Sequence, residues 1–94
     1  MNKNEYNTGN IMGTNKGRED GVLLIEPYPY TEMMSEDFNN GYRIGYLNGY
    51  INSAKEKEKD ADKEMLKLIN NRYRAICDIV LRNVKEPELK NKNR

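Results

Sequence analysis

The 94-residue chain has no histidine and no tryptophan, one cysteine (Cys77) and one phenylalanine (Phe38). Without histidine there is no imidazole base, no Ser-His or Cys-His nucleophile pair and no His-bearing zinc set. A single cysteine excludes an intramolecular disulfide and any CxxC motif. An excess of one charge is missing as well: 16 basic against 15 acidic side chains leave a net +1. That removes the electrostatic reason to bind DNA or anionic lipid strongly. Long apolar runs are absent. Val22-Leu23-Leu24-Ile25 falls far short of the ~18 residues of a membrane span, and the polar start Met1 to Asn10 is no export signal. Phosphate loops of the GxxxxGK[ST] or GxGxxG type do not occur. Carboxylates abound, but no pair stands in an apolar context that would tune a general acid and base. The expectation is a cytoplasmic, non-enzymatic protein with no cofactor, no metal and no membrane partner.

Apolar residues are also scarce. They make up 36% of the chain, mean hydropathy is -1.03, and Leu, Ile, Val and Phe together supply only about a fifth of the residues. One small domain is the most this allows, and a homo-oligomer is the natural remedy for so lean a core.

The first twenty residues are rich in Asn, Gly, Thr and Lys, with Tyr6, Ile11 and Met12 as their apolar anchors, and read as a flexible arm. Residues 21–30, GVLLIEPYPY, read as one buried strand ended by Pro27 and Pro29. The cluster Lys16 to Gly21 has turn chemistry, which would let Gly9 to Thr14 pair back as a β-hairpin. From Ser35 the pattern turns helical, with Ser35 (or Thr31) as N-cap and Glu36 and Asp37 in the first turn.

Within this helix a four-residue repeat runs NGYR-IGYL-NGYI from Asn40 to Ile51. Residues i and i+4 share nearly one helix face, so Gly41, Gly45 and Gly49 form a smooth groove beside a ridge of Phe38, Tyr42, Tyr46 and Tyr50. Each interior glycine costs about 0.5–1 kcal/mol relative to alanine, so close approach by another helix or by a flat ligand has to offset it. A tyrosine ridge suits either packing or base stacking. Asn40, Asn48 and Asn52 offer amides to a base or ribose, and Arg43, Arg72 and Arg74 offer forked donors to phosphate.

The run KEKEKDADKE over residues 55–64 alternates in charge and reads as a solvated helix end or turn, with Asp60 able to cap the next helix. From Met65 to Val84 the apolar positions Leu66, Ile69, Tyr73, Ile76 and Val80 step by three and four, the pattern of an amphipathic helix. Its expected partner is the Tyr-rich helix folded back as a hairpin, or a second subunit. The helical region thus spans 35–86, and residues 87–94 form a basic tail beginning at Pro87. The fold class expected is α+β: a short N-terminal strand or β-hairpin, then a C-terminal two-helix unit, in an oligomer.

The stretch FNNGYRIGYLN at Phe38 to Asn48, with NNRYR at Asn70 to Arg74, resembles the first-described family of phage Thoeris anti-defence sponges over about half the chain. That resemblance implies a protein that sequesters a cyclised ADP-ribose immune signal without cleaving it, in the host cytoplasm. It further implies that Phe38 stacks on adenine, that Asn48 bonds base or ribose, and that Arg72 or Arg74 meets the diphosphate. The ligand-binding set expected is Phe38, Tyr42, Arg43, Tyr46, Asn48, Arg72 and Arg74. Two other readings stand beside it. One is a small helical inhibitor or adaptor that docks on a protein through the same groove and ridge and the Tyr28-Pro29-Tyr30 segment. The other is a nucleic-acid-binding regulator, against which the near-neutral charge counts.

Overall fold

The computed structural model describes residues 2–31 and 35–83. Among them the secondary structure is helical throughout, as α1 (Lys3–Leu23), α2 (Glu36–Glu58) and α3 (Lys63–Asn83). The α+β expectation is therefore corrected: the proposed arm is helical from Lys3 onward, as α1, and neither a strand nor a hairpin forms among the described residues.

The reason lies in the glycines. All seven in the chain fall at four-residue intervals, Gly9-Gly13-Gly17-Gly21 on α1 and Gly41-Gly45-Gly49 on α2. The two stripes face each other. A Cβ added at Gly9, Gly13, Gly17 or Gly21 would stand 2.1–2.5 Å from the carbonyl oxygen of Phe38, Tyr42, Tyr46 or Tyr50 in turn. One at Gly41, Gly45 or Gly49 would stand 2.1–2.2 Å from that of Tyr6, Asn10 or Thr14. Real Cβ atoms do not come that close, so only glycine admits this backbone approach, in which Cα–H groups can lie against carbonyl oxygens. Ser53 extends the α2 stripe, its hydroxyl donating to Arg18 O at 2.9 Å. Asn10 Nδ2 adds a bond to Gly41 O at 3.2 Å.

Both series ascend together, so α1 and α2 run parallel. Their starts are tied side by side: Asn2 caps α1 by accepting from Glu5 N–H and gives its own N–H to Asp37 at 2.7 Å. Ser35 caps α2 by accepting from Phe38 N–H, and its hydroxyl donates to Glu5. Parallel pairing obliges the chain to return along the helices, about 27 Å at 1.5 Å per residue, a span that the eleven steps from Leu24 to Ser35 can cover, since that length of chain reaches at most about 36 Å. Of the run expected as a strand, Gly21 to Leu23 end α1 and Leu24 to Tyr30 enter this crossover. Ile25 N–H donates to Asp20 O and Leu24 N–H to Gly21 O, closing α1 with Leu24 at φ 55°, a left-handed position usually given to glycine.

The crossover lies over the aromatic ridge. The rings of Phe38, Tyr42, Tyr46 and Tyr50 follow one another at 6.0–6.4 Å, tilted by 22–29°. Pro27 and Pro29 are buried. Tyr28 N–H donates to the Tyr46 hydroxyl at 3.1 Å, and the Tyr50 hydroxyl donates to Ile25 O. The turn at Lys59–Asp62, inside the charged run, then leads into α3, whose cap is Asp62 (from Met65 N–H, 2.8 Å) rather than Asp60. Helix α3 closes the core with Ile69, Ile76 and Val80, all fully buried. The α2 groove is thus filled by α1 of the same chain, not by a hairpin partner or second subunit. Val84 and the 87–94 tail lie outside the described residues.

Candidate functional site

The residues expected to hold a ligand separate into an enclosed group and an exposed one. Phe38, Tyr42 and Tyr46 are buried in the ladder. The Tyr46 hydroxyl donates to the buried Asp20 carboxylate of α1 while accepting from Tyr28 N–H. Burial above all pushes the Tyr42 and Tyr46 phenols up, followed by the Asp20 charge at Tyr42 and the hydrogen bond to Asp20 at Tyr46. Tyr50 is pushed up to about 12, mainly by burial and partly countered by Arg72. These hydroxyls stay protonated, and those of Tyr46 and Tyr50 act as struts that pin α1 and the crossover to α2.

Arg43 is half-buried and spends one guanidinium nitrogen on Asn40 Oδ1 at 2.6 Å. Asn48 is exposed on α2. Arg72 turns inward: its Nε donates to Leu24 O at 2.8 Å, and Nη1 lies 3.5 Å from Glu26 Oε2. Its side chain is 21% exposed where that of Glu26 is 84% exposed. Arg74 is exposed. The structure brings Arg72 and Arg74 together in one open depression of about 530 Å³, beside Glu26, Asn71 and Asp78. Phe38, Tyr42, Tyr46 and Asn48 do not line it.

One aromatic from outside the expected ligand set stands on the surface. Tyr28 is 66% exposed and meets Tyr30 edge-to-face at 5.0 Å. In extended backbone, alternate side chains point the same way. Pro27 and Pro29 point in, which sends Glu26, Tyr28 and Tyr30 to the opposite edge of the crossover. The alternation EPYPY is the sequence signal of this row. Prolines fix φ and hold the residues before them extended, and the Tyr28 amide is anchored on Tyr46, so the row is held on a stiff support.

A second opening of about 500 Å³ lies where the end of α1 meets the α2–α3 turn, with Val22, Ala61 and Met65 as its apolar lining and Glu56, Lys57 and Asp60 as its charged one. Among the described residues no group of His, Cys, Asp and Glu is arranged to hold a metal ion, and no helix is long and apolar enough to cross a membrane. No protein-family model, curated protein or solved structure matches the chain.

Proposed function

We propose that the chain is a non-enzymatic binding protein that docks on another protein through the outer edge of its crossover. The observation that carries this reading is the division of the aromatics. The ridge Phe38-Tyr42-Tyr46-Tyr50 is consumed inside the fold, while Tyr28, exposed between two buried prolines, is offered outward. An aromatic side chain whose backbone is anchored and whose ring rests against a neighbour has less freedom to lose on binding, the property of interface anchors. A photo-crosslinking residue placed at position 28 tests it. A position-specific adduct, followed by reconstitution with the identified protein and loss of binding in Tyr28→Ala, supports docking. Adducts no more frequent than from a control at exposed Lys63 remove it.

The depression shared by Asn71, Arg72 and Arg74 favours a second reading, sequestration of a cyclic nucleotide such as cyclised ADP-ribose. Here Arg74, unlike Arg72, has its guanidinium outside the internal network and would meet the diphosphate. Native mass spectrometry with cyclised ADP-ribose isomers and cyclic oligonucleotides decides. An intact stoichiometric ligand that is lost in Arg74→Ala supports sequestration, and a ligand-free chain removes it.

A further inference from the structure

We infer that the partner element taken by the crossover edge is a basic protein segment, with an arginine or lysine seated on the Tyr28 ring and reaching Glu26; this rests on the docking reading above. Between Leu24 and Thr31 the crossover carries a single charged side chain, Glu26. Arg72 approaches it from the protein side through Oε2 alone, leaving the outward face of an 84% exposed carboxylate to solvent. Two positions on, the Tyr28 ring stands on the same edge, its flank supported by Tyr30. A carboxylate beside an exposed aromatic face is the chemistry that recognises a cation, through an ion pair at one end and the ring quadrupole at the other. Beyond the Arg72 pair on Oε2, an acidic segment would meet Glu26 as a like charge, and an apolar one would strip water from its outward face with no partner there. Arg74 lines the same depression as Glu26 and carries the same sign as the incoming cation, so its removal should strengthen the contact.

The test is selection of random displayed peptides on the immobilised full-length chain, followed by measurement of the recovered peptides against variants. The expected result is peptides enriched in Arg and Lys, whose binding weakens about tenfold in Tyr28→Ala and in Glu26→Gln, falls with added salt, and tightens in Arg74→Ala. Peptides that need Tyr28 but show no basic enrichment would overturn the basic partner and leave the docking reading standing. Peptides indifferent to Tyr28→Ala, or no selected peptides, would overturn both. Tyr28 and Glu26 are exposed, so their variants keep the fold, and unchanged helical circular dichroism checks this.

Discussion

Tyr46 on α2 donates its hydroxyl proton to the carboxylate of Asp20, twenty-six residues earlier on α1, and both are buried. Because α1 buries only glycines and Asp20, this bond is the one place where a buried charged side chain ties the two helices.

Tyr46→Phe removes the donor from a buried carboxylate and the acceptor from Tyr28 N–H. Urea unfolding should show a loss of about 2–3 kcal/mol, the cost of a lost charge-assisted bond to a buried carboxylate that keeps only Lys16 at 3.7 Å, with a lost neutral bond. Tyr42→Phe, which touches neither bond, should change stability by less than about 1 kcal/mol.

Replacing a helical glycine by alanine ordinarily stabilises a helix by about 1 kcal/mol. At Gly13 and Gly45 the sign should reverse, because the new methyl would sit 2.1–2.2 Å from a backbone oxygen of the facing helix, which cannot rotate away. Gly13→Ala and Gly45→Ala should each destabilise by about 3 kcal/mol, the upper range for overpacking. Thermal unfolding followed by circular dichroism measures it.

Leu24 sits at φ 55° with its side chain buried and its carbonyl taken by Arg72. Leu24→Gly relieves about 1 kcal/mol of backbone strain but loses a buried side chain worth about 2–3 kcal/mol. The net change should be destabilising by about 1–2 kcal/mol in urea titration. Arg72→Lys keeps the charge and loses the Nε bond, so its stability should also fall, by about 1 kcal/mol.

Tyr50 titrates near 12 in the folded chain against 10.0 for a free phenol, chiefly through burial, and Tyr46 and Tyr73 are also raised. The folded state holds protons that the unfolded state releases, so stability is intact below pH 10 and falls as pH rises from there through the folded values. Ionisation of the buried phenols and loss of helicity should therefore occur together on alkaline titration. Ionisation of all seven phenols with helicity fully retained would contradict the buried, hydrogen-bonded ladder.

The halves of the chain differ in how openly their sequence declares structure. Helix α3 was legible because Ile69, Ile76 and Val80 bury an apolar stripe at helical spacing, and α2 because Ser35 caps it and its tyrosines recur every four residues. Helix α1 was not, since its buried side carries no apolar residue at all: the signal was the spacing of Gly9, Gly13, Gly17 and Gly21, which matches that of α2. Glycine taken singly indicates a turn. Two stripes with the same interval indicate mates. The run Val22 to Ile25 looked buried as a whole, yet Leu24 alone turns inward. Of the candidate ligand residues, burial divides them by neighbours distant in sequence: nothing local to Tyr46 reveals that Asp20 and Tyr28 close over it.

The parallel glycine contact has a consequence for how the chain comes to order. Each α1 glycine meets a residue twenty-nine ahead, from Gly9 with Phe38 to Gly21 with Tyr50, and each α2 glycine one thirty-five behind. Helix α1 has four glycines and no apolar side to hold it, so it gains little from forming first. Once one rung has closed its loop, the next lies a single helical turn away and closes at small further entropic cost. As the chain is synthesised, the facing stripe that holds α1 exists only once α2 has been made.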